Sequence, residues 1–434
     1  MENAVDAPIA PPHRPHRLSR WAVIGTVAGN AIEFYDFLTY SIFSVYIGHT
    51  FFPTGNATTS LLLALATFGV GFFTRPLGGI LIGAYADRAG RRPALMLTIS
   101  LITVGTLGVA VTPSYAQIGM AAPIILVLAR LLQGLALGGE VGPSTAVLLE
   151  CAPPGKRGAL VSWQAASQGM AILASGVIGF GLTAVLGDAQ MEAGAWRFAF
   201  LLGLTIVPVG LYLRRQLPET LEKATNQTHA QTEFDILKDI ASHHWRPLLQ
   251  GVLIIMCLTI STYISNYMTT YAKTTLHMPA ADAMLATLSQ GVCMMLAALS
   301  GGALSDRYGR KVVMIAPRIL LLLVVYPAFR FLVDVHTTWA LVLVTAGLST
   351  LTSLSTASSL AALAEVFPNK VRSSGLAISY ALSVSIFGGT TQFVVAWLID
   401  RTGEPLSPAY YAIFTSVLGL WAMAKLPSGS QSHK

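Results

Sequence analysis

Long runs of apolar residues, separated by short polar stretches, dominate this chain. A membrane-crossing helix needs about 20 apolar residues, and a sustained apolar run of that length predicts one. Six such runs cover residues 21–50, 59–85, 93–111, 118–149, 159–186 and 198–213. Six more cover residues 248–272, 282–304, 312–332, 339–363, 375–398 and 409–425. The pattern predicts an all-α membrane protein with twelve transmembrane helices.

The longest polar stretch divides the runs into two sets of six, which predicts two six-helix halves. The expected parts are a cytoplasmic N-terminal tail at 1–20, an N-terminal half at 21–213, a cytoplasmic linker at 214–247, a C-terminal half at 248–425 and a cytoplasmic C-terminal tail at 426–434. Two loops recur in order between the halves. ADRAGRR at 86–92 returns as SDRYGRK at 305–311, and Glu150, Pro153 and Arg157 return as Glu365, Pro368 and Arg372. A repeat of this kind is known in secondary transporters and predicts pseudo-symmetric halves.

Composition and charge agree with this topology. The chain is 53% hydrophobic and only 11% charged, whereas a soluble protein is about 25% charged. With the N-terminus on the cytoplasmic side, 20 of the 27 Lys and Arg residues fall on that side and 3 on the other. This bias predicts that both termini are cytoplasmic. It also accounts for the net charge of +7 without a nucleic-acid partner. A bacterial-type inner membrane is the expected location.

The repeated loops also carry a family resemblance. GAYADRAGRRPAL and its echo GGALSDRYGRKVVM resemble the signature loop of the major facilitator superfamily. The opening GNAIEFYDF, the segment FFTRPLGG at 72–79 and residues 130–172 are similar to the metabolite:proton symporters within that superfamily. The resemblance implies the major facilitator fold, alternating access and proton-coupled uptake of a small organic solute.

The substrate implied by the resemblance is a tricarboxylate such as citrate or tricarballylate. LIGAYADRAGRRPALM and SWQAASQ look most like the citrate and tricarballylate permeases. SVYIGHTFFPTGNATT looks instead like the 2-oxoglutarate permeases, so a dicarboxylate is the alternative. Osmolyte and shikimate symporters of the same family are less favoured, the osmolyte branch because its members carry a long C-terminal extension.

Polar residues within the first and fourth apolar runs are the candidate coupling site. A membrane charge costs roughly 2.5–3.5 kcal/mol on insertion scales, so such residues are expected to be functional or paired. Asp36 and Glu33 are the candidate proton-coupling residues, with Glu33 equally able to serve in helix–helix hydrogen bonding. Arg130 is the first choice for a substrate carboxylate, because its planar guanidinium can bind a carboxylate through two hydrogen bonds. A static Asp36–Arg130 pair is the structural alternative.

Further candidate substrate-binding residues are Asn30, Arg75, Gln133, Gln164, Gln168, Tyr263, Asn266 and Tyr267. Arg75 has a salt bridge to Glu140 or Glu33 as its alternative, and Glu140 itself is expected to serve packing or gating. The glutamines could equally hold helices together. Arg318, in the ninth run, is an unusual membrane charge whose partner the sequence does not indicate.

The recurring loops predict a cytoplasmic gate of salt bridges that form and break between states. Individual surface pairs are weak, at about 0–1 kcal/mol, which suits an equilibrium between two conformations. The predicted gate residues are Asp87, Arg91, Glu150, Arg157, Asp306, Arg310, Glu365 and Arg372.

Other function classes lack their sequence signals. The chain has no GxxxxGK[ST] phosphate loop, and its three cysteines are too far apart in sequence for a metal cluster. We therefore expect no enzyme activity, no cofactor and no metal site. The expected partners are a small organic anion, protons and the lipid bilayer, with the monomer as the functional unit.

Overall fold

A computed structural model describes residues 20–89, 91–138, 148, 156–215, 245–366 and 372–426. The described part is helical and contains no strand. The first six spans are α1 (Arg20–Ile42 and Ser44–Phe51), α2 (Ala57–Phe73 and Arg75–Ala89), α3 (Arg91–Val111), α4 (Ala121–Gly138), α5 (Arg157–Gln190) and α6 (Arg197–Arg215). The other six are α7 (Trp245–Thr274), α8 (Ala280–Tyr308), α9 (Arg310–Val335), α10 (Thr338–Val366), α11 (Arg372–Ser383 and Gly389–Thr402) and α12 (Ser407–Ala424).

Each predicted apolar run corresponds to one helical span in the described part of the chain, which agrees with the predicted all-α class and its twelve spans. Within the described residues, eight helices are long and apolar enough to cross a membrane on length and composition alone. α1, α3, α6 and α12 are not among them. The interior of α1 carries Asn30, Glu33 and Asp36, and these three polar residues lower its mean hydropathy. The polar residues of the candidate site therefore make α1 less apolar than an uninterrupted apolar span would be.

Two glycine-lined seams bring the halves into contact. Along the seam between α5 and α8, a Cβ on Gly169 would lie 2.6 Å from the backbone nitrogen of Met295. Along the seam between α2 and α11, a Cβ on Gly69 would lie 2.6 Å from the carbonyl oxygen of Gly389. Real Cβ atoms do not approach this closely, so glycine is required for the observed contact. The two halves thus touch backbone to backbone at both seams.

Inside the N-terminal half, α2 and α4 also pack backbone to backbone. A Cβ on Gly134 would collide with the carbonyl oxygen of Gly71, and one on Gly71 would lie 3.0 Å from the carbonyl oxygen of Arg130. This close packing brings Arg75, one turn beyond Gly71, alongside Arg130. The two candidate substrate cations are neighbours because Gly71 and Gly134 allow the backbones of α2 and α4 to approach closely.

The predicted domain boundaries remain predictions. Most of the expected linker at 214–247, and nearly all of both tails, lie outside the described residues. Below, "outer end" denotes the end of the bundle where α1 meets α2, and "inner end" the end where α8 meets α9.

Candidate functional site

Arg75 and Arg130 share one aromatic surface in the N-terminal half. The Arg75 guanidinium lies 4.5 Å from the ring centre of Phe37, and the Arg130 guanidinium lies 4.6 Å from the same centre. Arg75 also lies over Phe72 at 4.1 Å, and Arg130 over Tyr40 at 4.4 Å. A cation over an aromatic face gains roughly 0.5–2 kcal/mol, which offsets part of the cost of burial. We call these two arginines the cation pair.

The cation pair has hydrogen-bonding capacity to spare. Arg130 is fully buried and Arg75 is 8% exposed. In both, Nε and Nη2 have no hydrogen-bond partner among the described residues. The Tyr263 hydroxyl of α7 lies beside the Arg75 guanidinium, which brings the C-terminal half to the site. Two buried guanidinium groups with unused N–H donors form a site suited to an anion.

Asp36 and Arg130 are joined by a chain of hydrogen bonds, not by a direct ion pair. Arg130 Nη1 donates to Gln133 Oε1 at 2.7 Å, and Gln133 Nε2 donates to Thr106 Oγ1 at 3.0 Å. The Thr106 hydroxyl in turn donates to Asp36 Oδ2. Asp36 Oδ1 has no hydrogen-bond partner among the described residues and faces Gly203 of α6. Gln133 and Thr106 therefore connect the two charged groups through three hydrogen bonds.

Asn30 and Glu33 point away from the cation pair. Asn30 Nδ2 donates to Ser167 Oγ at 2.6 Å, and Gln164 Nε2 donates to Asn30 Oδ1 at 3.0 Å. These bonds hold α1 to α5. Glu33 lines a small cavity with residues of α3 and α6, among them Thr103. The polar residues of α1 thus serve three neighbouring helices, although the sequence places them on one broad side.

The aromatic stripe predicted on α7 separates into different environments. Tyr263 packs edge-on against Phe72, with 5.5 Å between the ring centres, and so belongs to the site. Asn266 accepts a hydrogen bond from Gln290 of α8. Tyr267 is buried in the apolar core of the C-terminal half, and Gln168 is half-buried on α5. Among the α7 candidates, Tyr263 is the one that the structure brings to the cation pair.

At the inner end, Asp306 caps a helix of the opposite half. Its carboxylate accepts hydrogen bonds from the backbone nitrogens of Gly158 at 3.0 Å and Ala159 at 2.9 Å, at the start of α5. A carboxylate at a helix N-terminus is stabilised by the unpaired N–H groups and the helix dipole. Arg310 is half-buried nearby on α9. The side chains of the other predicted gate residues, Asp87, Arg91, Glu150, Arg157, Glu365 and Arg372, and Glu140 as well, lie outside the described residues.

The outer end carries a cluster that the sequence analysis missed. Lys273 of α7 forms a salt bridge with Asp188 at the end of α5, with 2.7 Å between Nζ and Oδ1. The Tyr46 hydroxyl donates to the same oxygen at 2.6 Å, and Lys273 lies 3.8 Å from the Tyr46 ring centre. These contacts, which we call the outer latch, join the two halves. The available signal was Lys273 itself, one of only three basic residues predicted on that side.

Asp188→Asn is expected to favour opening at the outer end, because it removes the ion pair but keeps a hydrogen-bond acceptor for Tyr46. Ser41, which bonds Gln392 across the halves at 2.9 Å, is the reporter position. In a background without the native cysteines, an impermeant maleimide should label Ser41→Cys up to about fivefold faster when Asp188→Asn is present.

Asp334→Asn is the matched control for this experiment. It breaks the ion pair with Arg330, which is also near the outer end but joins two residues of one helix. The control should leave the labelling rate unchanged. Equal rates in both variants would show that the Asp188–Lys273 pair does not hold the halves together.

Comparisons with known proteins place these features in context. A family model described as sugar (and other) transporter matches residues 21–431. The citrate-proton symporter of Klebsiella pneumoniae is 36% identical over 93% of this chain and 91% of its own length. The alpha-ketoglutarate permease of Escherichia coli K12 is 35% identical over 86% of each chain. A proline/betaine transporter of Salmonella typhimurium is 32% identical over 92% of this chain and 82% of its own.

A solved structure shows the same fold. The xylose transporter from E. coli, in a partially occluded inward-open conformation, superposes with a TM-score of 0.74. It covers 95% of this chain and 99% of its own, at 18% identity. Structural similarity at 18% sequence identity supports the twelve-helix fold but does not identify the solute.

Proposed function

Because this chain belongs to the sugar (and other) transporter family of the major facilitator superfamily, as a proton-coupled symporter, we propose that it takes up a small organic anion. A tricarboxylate such as citrate or tricarballylate is the first choice. The cation pair is the observation that carries this proposal. Two buried guanidinium groups flank Phe37, each with two N–H-bearing nitrogens unused among the described residues. A molecule whose carboxylates are separated by a short carbon chain can bind both.

The charge of the site bears on the alternatives. A zwitterion such as betaine or proline has a single carboxylate, and its positive nitrogen would be repelled by the second guanidinium. The nearby faces of Phe37, Phe72 and Tyr40 are already covered by arginine and are not free to cage a quaternary ammonium. A dicarboxylate such as 2-oxoglutarate satisfies the same two cations and is the second candidate.

In this proposal Asp36 carries the coupled proton and Arg130 holds a substrate carboxylate. The chain through Gln133 and Thr106 links the two sites, so occupancy of one changes the binding free energy at the other. Tyr263 contributes a hydroxyl from the opposite half. Asn30, Gln164 and Gln168 orient α1 against α5, and Glu33 supports proton transfer at Asp36. Asn266 and Tyr267 hold α7 in place, Asn266 through Gln290 of α8 and Tyr267 through the apolar core.

The proposed setting is an inner membrane with both termini in the cytoplasm and a monomer as the transporting unit. The placement of 20 of the 27 basic residues on one side supports this orientation. Alternating access would break the outer latch and the Asp306 cap in turn. The remaining predicted gate residues are proposed to act at the inner end with Asp306.

Uptake into proteoliposomes tests the proposal. With an acidic exterior, radiolabelled citrate should accumulate above its external concentration, and a protonophore should abolish that accumulation. Competition by unlabelled tricarballylate, 2-oxoglutarate, succinate, shikimate and proline then ranks the substrates. Citrate uptake that is unaffected by collapse of the pH gradient would contradict symport. Strong competition by proline alone would contradict an anionic substrate.

A further inference from the structure

Arg318 is a further buried cation, separate from the cation pair. It lies on α9 in the C-terminal half and is completely buried. Its Nη1 donates to Ser261 Oγ of α7 at 2.7 Å. Its Nε and Nη2 have no hydrogen-bond partner among the described residues. A guanidinium left in this state inside a membrane protein is strongly unfavourable unless something else satisfies it.

No described carboxylate of the C-terminal half is placed to neutralise Arg318. Four acidic residues lie toward the outer end, and Asp306 caps α5 at the inner end. The four are Asp282, Asp334, Asp400 and Glu404. The side chain of Glu365 is not described, but its position on α10 is ten residues inward of Ser355, which contacts α9 at Met314. Ten helical residues span about 15 Å, so Glu365 lies well below the level of Arg318.

Unpaired hydroxyl groups lie at the level of Arg318. Ser355 Oγ donates to the Met314 carbonyl at 2.8 Å, which fixes the register of α10 against α9. Arg318 lies one turn outward from Met314 on α9. Because α10 runs antiparallel to α9, Thr352 lies one turn outward from Ser355 and therefore at the same level as Arg318. Thr352 Oγ1 is buried without a partner among the described residues.

α12 contributes a further hydroxyl at the same level. A Cβ on Gly419 would collide with the Cys257 side chain, which fixes the register of α12 against α7. One turn outward, Ser416 on α12 is level with Ser261, the hydrogen-bond partner of Arg318. Ser416 Oγ is also buried without a partner among the described residues.

We propose that Arg318, with the hydroxyl groups of Ser261, Thr352 and Ser416, forms a binding site for a small inorganic monoanion of halide size. The single positive charge matches a monoanion, and unused N–H and O–H donors converge on one level of a four-helix cluster. On α7, Ser261 and Tyr263 point about 160° apart around the helix axis, so this site faces away from the cation pair. The anion is a structural ligand of the C-terminal half and not a transported substrate.

Thermal unfolding of the detergent-purified, full-length protein tests this site. In sodium gluconate at constant ionic strength, replacing gluconate with chloride or bromide should raise Tm by about 3–5 °C, and the rise should saturate. Arg318→Gln should abolish the rise. Arg330→Gln, which removes the same charge from an exposed position on the same helix, should keep it.

Bromide also provides a direct readout on the unaltered protein. In crystals grown in sodium bromide, an anomalous peak is expected beside the Arg318 guanidinium. If Arg318→Gln does not fold, the wild-type titration and the anomalous map decide the question. A Tm that is the same in gluconate, chloride and bromide, or a halide response that survives in Arg318→Gln, would overturn the proposal, as would a bromide map empty at Arg318. Loss of citrate transport with the halide response intact would instead concern the proposed function.

Discussion

Arg130→Met is expected to lower the rate of citrate uptake at subsaturating citrate by about 100-fold or more. Truncating one partner of a buried, hydrogen-bonded charge pair typically costs about 2–5 kcal/mol, and each 1.4 kcal/mol corresponds to about tenfold. The loss removes the cation from Phe37 and Tyr40 and breaks the first bond of the chain to Asp36. Radiolabelled uptake into proteoliposomes, normalised to folded protein by size-exclusion chromatography, measures it.

Two further variants separate charge from shape. Arg130→Lys keeps the positive charge but lacks the planar fork, so uptake should still fall by about tenfold. Arg401→Gln removes a positive charge from an exposed outer position and should leave uptake unchanged. If Arg130→Lys transported citrate at the wild-type rate, bidentate carboxylate binding at this position would be ruled out. If Arg401→Gln reduced uptake as severely as Arg130→Met, the effect would be a general one of net charge.

Asp36→Asn is expected to eliminate citrate accumulation driven by a pH gradient, while exchange of internal for external citrate continues. A gradient of one pH unit supports about tenfold accumulation for each proton carried, and this ratio should fall to one. Asparagine has nearly the shape of aspartate and can still accept the hydrogen bond from Thr106. The variant therefore removes the titratable group with little change in packing. Accumulation and counterflow, measured in the same proteoliposomes, distinguish coupling from transport.

Thr106 supplies the matched control. Thr106→Ser keeps the hydroxyl that joins Gln133 to Asp36, and it should retain coupled uptake. Thr106→Val has the same shape without the hydroxyl, and it should weaken coupling while citrate binding at Arg130 persists. Full proton-driven accumulation in Asp36→Asn would disprove the proton role of Asp36, whatever its exchange activity. Equal behaviour of the serine and valine variants would show that the hydroxyl does not link the two groups.

The fold could be read from the sequence because a bilayer imposes a strict rule on each span. Backbone groups inside hydrocarbon must be satisfied within the helix, so every crossing segment is a long apolar run. The first run remained recognisable even with Asn30, Glu33 and Asp36 inside it. The repeat of ADRAGRR as SDRYGRK added the two-half arrangement. Arg130 and Arg75 could be selected as candidates because cations are rare in spans.

The partners of these residues could not be read in the same way. Periodicity shows which side of a helix a residue occupies but not which helix lies opposite. Thr106 is one of many threonines in apolar spans, and nothing in its local sequence distinguishes it. The α7 stripe was grouped by periodicity, yet only Tyr263 of the candidates reaches the cation pair while Asn266 turns to α8. Asp188 lies beyond the kink at Gly187, where helical spacing no longer applies.

The polar composition of α1 has a consequence for synthesis. α1 leaves the ribosome before α3 and α5, the helices that supply hydrogen-bond partners for its polar residues. Asn30 finds Ser167 only after 137 further residues have been made. At about 5–20 residues per second, that interval is roughly 7–27 seconds of translation. The hydrogen bonds that hold α1 to α5 therefore form only after most of the N-terminal half has been made, as a late step in the assembly of that half.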